Sequence, residues 1–399
     1  MTGETSPSPG VTAPAGFRAS GIVAGLKASG KPDLAVVVND GPLQVGSAVF
    51  TSNRVVGAPV LWSRQVVRDG VVSAVVLNSG GANVFTGPEG FQDSHATAEK
   101  VAEGLGVSAG DVVVCSTGLI GVRLASEKLF AGIGPAIEAL STAGGPDAAA
   151  AIMTTDTVPK TAHVTVRDEA GTWTVGGMAK GAGMLAPSLA TMLAVVTTDA
   201  VVDAEQADSA LRAATRTTFD RIDSDGAMST SDTVTLMASG ASGATPTPEA
   251  FTAAVREVCA RLARALIADA EGASHDVAVR VVGATSEDAA VAVARAVTRS
   301  NLVKAAIFGN DPNWGRIIAQ VGTVPEDVAP FDPARLDVTI NGVQVCRASR
   351  PAADPTTVDL AAHREVHIEI DLHAGDAEAT VWTNDLTHDY VHENSAYST

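Results

Sequence analysis

The sequence predicts a mixed α and β chain that ends in a separate, smaller α+β unit, and three observations carry this. Short β-branched runs alternate with alanine-rich stretches of helical character through the first part of the chain. From about residue 277 the order becomes strand, helix, then strands in succession. With 46% apolar and only 18% charged residues over 399 positions, the chain has apolar surface for more than one core.

The opening MTGETSPSPG is polar and rich in Pro and Ser, so residues 1–9 are expected to form a flexible tail; it lacks the basic start and apolar stretch of a signal peptide. LAVVV (34–38), SAVVL (73–77), DVVVC (111–115) and HVTVR (163–167) predict strands, with helices near 92–105, 125–141 and 146–152. Beyond 191 come a strand at 193–197, a helix near 203–220, the strand TVTLMAS (233–239) and a long helix. That helix starts with Thr247 as N-cap and Pro248 at its first position, and puts Phe251, Val255, Val258, Leu262 and Leu266 on one face. Glu271 is expected at its C-terminal end, where a carboxylate opposes the helix dipole. The first region thus spans 10–276. In the second, 277–399, VAVRVVGA predicts a strand, 286–299 a helix, 302–308 a strand, and LDVTI, VHIEIDL and EATVW three more. The segments 245–248 and 323–333 are expected surface connections, the second too proline-rich for regular structure.

Composition excludes several functions. A net charge of −18, without a Lys/Arg cluster interleaved with aromatics, argues against a nucleic-acid partner. Cys115, Cys259 and Cys346 are odd in number and widely spaced, which suits a reducing cytoplasm and excludes a disulfide framework. No run approaches 18 apolar residues, so no membrane span is expected. The eight histidines form no HExxH, and no metal is expected.

The glycine clusters NSGGANVFTG (78–87), STGLIG (116–121) and KGAG (180–183) lack the spacing of phosphate-binding loops, and each on its own predicts a tight turn. STGLIG directly follows the strand VVVC, so its backbone N–H groups could form an oxyanion hole. In KGAGMLAPSLATML, Thr191 stands at the seam between a Gly/Pro segment and an apolar run. It either opens a buried strand or serves as a nucleophile. A threonine hydroxyl needs a base, and a cut just before it would free an α-amino group with a pKa of roughly 7.7–8.0 for that purpose. Residue chemistry alone leaves both readings open.

MAKGAGMLAPSLATMLAVVTTDA (178–200) closely resembles the nucleophile segment of the ornithine acetyltransferases. GVTAPAGFRASG, LNSGGAN, CSTGLIG, AIMTTDTVPK, DGAMSTSDTV, ADAEGA, LVKAAIFGNDPNWGR and ENSAYST resemble further family segments in family order, over essentially the whole chain. One departure is SDT at 231–233 where the family pattern has NDT.

The resemblance implies a layered α/β sandwich related to self-processing aminopeptidases, with a smaller C-terminal α+β domain. It implies a precursor that cuts itself between Ala190 and Thr191, leaving fragments 1–190 and 191–399 associated as two copies of each. Thr191 would then take acetyl from N2-acetyl-L-ornithine and pass it to L-glutamate. Thr117 and Gly118 match the oxyanion-hole pair, and Thr154, Lys180, Thr191, Glu271, Asn394 and Thr399 match the substrate contacts. Lys180 would suit the α-carboxylate common to both amino acids, and Glu271 an amino group. No cofactor is implied, with acetyl-CoA as a candidate second donor. The alternatives are a self-cleaving aminopeptidase or amidase on the same fold, and a non-enzymatic amino-acid-binding protein.

Overall fold

The computed structural model describes residues 8–185 and 192–396. Its first part contains β1 (Phe17–Ile22), β2 (Leu34–Asn39), β3 (Val45–Phe50), β4 (Ala74–Asn78), β5 (Val112–Ser116), β6 (Lys160–Asp168), β7 (Gly171–Lys180), β8 (Leu193–Thr198) and β9 (Thr233–Ala238). The helices are α1 (Ala58–Val66), α2 (Gly87–Leu105), α3 (Ser126–Glu138), α4 (Gly145–Ala151), α5 (Ala204–Thr217) and α6 (Pro248–Ala268). One sheet runs β1-β2-β4-β5, parallel at β4–β5 and antiparallel elsewhere. The other runs β3-β9-β8-β7-β6, parallel at β8–β9 and antiparallel elsewhere.

These elements stack as helix, sheet, sheet, helix. Ala35, Val37, Val75, Leu77 and Val113 of the first sheet meet Met178, Leu193, Val195 and Met237 of the second in one buried cluster. The alternate residues Leu34, Val36, Val76, Val112 and Val114 pack on Ala98, Val101, Leu129 and Ile133 of α2 and α3. On the far side, Ala194, Val196, Val234 and Leu236 pack against α5 and α6. Both faces of β2, β4 and β5 are covered, which is why those strands are continuous apolar runs rather than alternating ones. The fold is a layered α/β sandwich.

The long helix α6 begins as its sequence predicts, the Thr247 side chain accepting the Ala250 N–H at 3.2 Å. Phe251, Val255, Val258, Leu262 and Leu266 are each fully buried, worth about 1.5–3 kcal/mol apiece. The helix ends at Ala268 with Asp269 as C-cap, so Glu271 lies beyond the last turn instead of within it. The carboxylate at the helix end is therefore Asp269, and Lys160 neutralises it at 2.5 Å.

The second part contains β10 (Asp276–Ala284), α7 (Glu287–Thr298), α8 (Asn301–Phe308), α9 (Trp314–Val321), β11 (Asp337–Ile340), β12 (Val343–Arg347), the two-residue β13 (Arg350–Pro351), β14 (Glu365–Asp371), β15 (Ala377–Asn384) and α10 (His388–Ala396). Its sheet runs β13-β12-β11-β14-β10-β15 around a core of its own from Val277 to Val381. The strand expected at 302–308 is instead α8. The Ser300 side chain caps it by accepting from the Val303 N–H, and the buried Val303, Ala306 and Ile307 recur at helical spacing. A short apolar run carries no period strong enough to separate the two forms.

Two further features went unread in the sequence. Ser8 and Pro9, counted with the tail, already pack on the body: Ser8 Oγ lies 2.9 Å from His163 Nδ1. The strand β7 runs straight into the glycine cluster at 180, and it passes so close beneath residue 10 that a Cβ at Gly176 would lie 2.1 Å from the Gly10 carbonyl oxygen. Glycine there marks close backbone approach inside a strand.

Candidate active site

A cleft opens where the ends of the two sheets meet, enclosing about 650 Å³ of space with its mouth. Thr117 and Gly118 reach it from the end of β5, Lys180 from the end of β7, and Thr154 from the connection between α4 and β6. Glu271 enters from the turn after α6, and Asn394 from α10. These six sequence-predicted residues share the cleft with Ala82, Ile120, Thr155, Gly183, Met184 and Ser229–Ser231. The other predicted residues, Ala190, Thr191 and Thr399, lie outside the described residues.

Thr117 is almost fully buried, and its N–H donates to the Asn78 carbonyl at 3.0 Å. That commitment leaves the hydroxyl as its donor toward the cleft. The Lys180 Nζ donates to Thr117 Oγ1 at 3.0 Å. Gly118 has φ +123°, and a Cβ there would lie 2.9 Å from the Gly81 nitrogen, so only glycine lets the two loops approach.

Behind this wall runs a buried ionic network. Asp156 Oδ1 contacts Lys160 Nζ at 2.6 Å and accepts the Gly181 N–H at 2.7 Å, while Oδ2 accepts the Thr154 N–H at 2.9 Å. Burial alone would raise the Asp156 pKa, but the Lys180 and Lys160 cations and the Gly181 N–H outweigh it and bring it to about 2. Burial lowers the pKa of Lys180, with Asp156, Asp232 and Glu271 opposing and Lys160 adding to the shift. Lys160 also reaches Asp269 on the Glu271 side, so the chain of contacts joins both walls of the cleft.

On the facing wall, Glu271 Oε2 accepts from Asn394 Nδ2 at 3.0 Å, and the Glu271 N–H donates to Ala182 at 2.9 Å. The antiparallel register sets Lys180 opposite Leu193, bringing together the two ends of the segment that carries Thr191. Just after Thr191, the Met192 N–H donates to Asp232 Oδ1 at 2.9 Å. Asp232 is fully buried, and desolvation raises its pKa well above the usual carboxylate value.

Sequence reasoning missed Asp156, Lys160, Asp232 and the Ser229–Ser231 lining. Asp156 and Lys160 both stand in AIMTTDTVPK, a segment whose only residue singled out was Thr154. Ser231, the departure from the family pattern, lines the cleft directly. Among the described residues no group of three or more His, Cys, Asp or Glu could hold a metal ion, and no helix is long and apolar enough to cross a membrane.

A layered α/β sandwich with a preorganised polar cleft at the meeting of its sheets defines a small-molecule enzyme. The ArgJ family model matches residues 18–399, and the chain belongs to that family, the ornithine acetyltransferases of arginine biosynthesis. It is 62% identical over 388 residues to the arginine biosynthesis bifunctional protein ArgJ of Streptomyces coelicolor, covering 97% of this chain and 99% of that protein. The protein of the same name from Mycolicibacterium paratuberculosis is 56% identical over 396 residues, covering 98% and 96% respectively. Among solved structures, an ornithine acetyltransferase from Mycobacterium tuberculosis complexed with ornithine is 56% identical, covers 45% of this chain and 95% of that one, and has a TM-score of 0.43.

Proposed function

We propose that this protein transfers acetyl from N2-acetyl-L-ornithine to L-glutamate through an ester on Thr191, after cutting itself between Ala190 and Thr191. The observation that carries this is the gathering of Thr117, Gly118, Thr154, Lys180, Glu271 and Asn394 from distant segments into one cleft. The Thr191 hydroxyl first attacks the Ala190 carbonyl, the C–N bond breaks to free the Thr191 amine as a base, and water hydrolyses the resulting ester to release the hydroxyl and the Ala190 carboxylate. In turnover the hydroxyl attacks the acetyl carbon and gives up its proton to that amine. The carbonyl electron pair moves to oxygen, returns on collapse, and the C–N bond breaks as ornithine leaves with the proton. Glutamate's amine reverses the sequence, yielding N-acetyl-L-glutamate.

Both half-reactions place negative charge on the same acetyl oxygen, so one pair of donors at Thr117 and Gly118 serves each. The relatives are named bifunctional, which supports acetyl-CoA as a second acetyl donor to glutamate. Cytoplasmic residence, freedom from cofactors and an assembly with two copies of each fragment complete the proposal.

On a denaturing gel the wild type should give fragments 1–190 and 191–399, the second beginning TMLAV. Thr191→Ala should stay whole and transfer no acetyl. Incubation with N-acetylornithine, with and without glutamate, separates the alternatives: acetyl on glutamate supports the transferase, whereas acetate released regardless of glutamate marks an amidase. An uncut yet active Thr191→Ala protein would refute the mechanism.

A further inference from the structure

We propose that Asp156 and Lys180 are positioning residues for the oxyanion hole: Asp156 fixes the end of β7, and the Lys180 ammonium, by donating to the Thr117 hydroxyl oxygen, turns the Thr117 O–H toward the reacting carbonyl. The inference rests on the acetyl-transfer reading of the cleft and adds a role that the substrate-contact assignment of Lys180 lacks.

A threonine hydroxyl has one proton to give and lone pairs to receive. Lys180 Nζ, 3.0 Å from Thr117 Oγ1, can only donate, so the hydroxyl accepts there and its proton must point elsewhere. The Thr117 N–H is spent on Asn78, and the Thr117 side chain borders the cleft. Among the described residues no acceptor for that proton is seen, and the cleft that the side chain borders is the direction open to it. A hydroxyl polarised by a buried cation is also a stronger donor than a free one.

Asp156 makes this placement rigid. Its Oδ1 holds the Gly181 N–H at 2.7 Å, immediately after Lys180, and its Oδ2 holds the Thr154 N–H at 2.9 Å. Lys160, itself bonded to Asp156 at 2.6 Å, keeps that carboxylate in place from behind. Among the described residues, the charged groups facing Lys180 are Asp156, Asp232 and Glu271, which favour the ammonium, and Lys160 and Lys27, which oppose it. Asp156 is the foremost of the favourable ones. Removing its charge therefore makes Lys180 lose its proton at lower pH.

The test is a double-mutant cycle on kcat for acetyl transfer, expressed per cleaved chain, with Lys180→Met, Thr117→Val and the pair. Losing the aligned donor should cost Lys180→Met about 100-fold in kcat, the scale of one oxyanion-hole donor. In the Thr117→Val background the same change should cost less than about threefold, because no hydroxyl is left to aim. In Thr117→Ser, which keeps the hydroxyl, the full cost should return. Losses that simply multiply in Thr117→Val overturn the relay and leave Lys180 as an independent substrate contact. Wild-type protein that transfers no acetyl instead defeats the underlying reading. Asp156→Asn should move the alkaline limb of kcat to lower pH, and should move nothing once Lys180 is Met. An unmoved limb removes Asp156 from the device. Should Asp156→Asn fail to fold, the Lys180–Thr117 cycle decides alone, since Lys180→Met leaves Asp156 paired with Lys160.

Discussion

Gly183→Ala separates the binding role of the cleft from its stability. Gly183 is not in the left-handed region, so alanine fits its backbone. The added Cβ would lie 2.5 Å from Glu271 Oε2, 2.6 Å from Cδ and 2.7 Å from Oε1. Ordinary contact begins near 3.4 Å, so the carboxylate must retreat by about 0.9 Å, breaking its alignment with Asn394. The obstacle is the end of a flexible side chain and not backbone, so the fold should absorb it with a stability change under about 1 kcal/mol. A displacement of about 1 Å in a positioning group can cost about 100-fold in rate. N-acetylornithine has a single cationic group, its terminal ammonium, and depends on a carboxylate to hold it. The expected result is therefore about a 100-fold fall in kcat/KM for acetyl-enzyme formation from N-acetylornithine, at an unchanged melting temperature. Steady-state kinetics beside a thermal melt measure both. Unchanged kcat/KM, or a loss that tracks a lower melting temperature, would refute the assignment of Glu271.

Other outcomes follow from the same contacts. Lys160→Met leaves the buried Asp156 and Asp269 carboxylates without their shared cation and should destabilise the protein by about 3–5 kcal/mol, read from denaturant unfolding. Asp156 is depressed from 3.8 to about 2, so its contribution of about 2 kcal/mol is present above pH 4 and lost as pH falls toward 2. Asp156→Asn should flatten the unfolding curve in that window. Asp232 has the opposite sign: with its folded pKa raised, stability falls as pH rises above about 4 until the folded group ionises, and Asp232→Asn should abolish that slope. Gly118→Ala should lower both melting temperature and kcat, because its positive φ and the nearby Gly81 backbone leave a Cβ no room; an active, equally stable variant would argue against the tight loop pairing.

Local chemistry was enough to read much of the fold. The strands β2, β4 and β5 announce themselves because, covered on both faces, they need uninterrupted β-branched residues, as in LAVVV and DVVVC, whereas β1, FRASGI, is half-buried and carries no such run. The helix α6 is equally plain, since Thr247, Pro248 and the stripe from Phe251 to Leu266 each follow from helix geometry alone. The segment 302–308 was misread because its apolar run is short and its cap, Ser300, is a weak signal. The strand β7 was hidden by Gly176 and Gly177: at the first, the reason for glycine is a backbone from residue 10 that is remote in sequence, and at the second it is the Val258 and Leu262 side chains of α6.

The site divides in the same way. Residue type and neighbouring sequence nominated STGLIG and Thr191, and the resemblance supplied Thr154, Lys180, Glu271, Asn394 and Thr399. What a chain cannot express locally is which buried charges will share a space. The network Asp156–Lys160–Asp269, and the donation from Lys180 to Thr117, join residues as many as 109 positions apart. Their pairing is decided when packing removes water, because only then does an unpaired charge become costly enough to select its partner. The sequence alone determined the doubly covered strands, the capped helix and, with the family resemblance, the chemical candidates; the tertiary structure decided which of those candidates face one another across the cleft, and how the cations behind it are held.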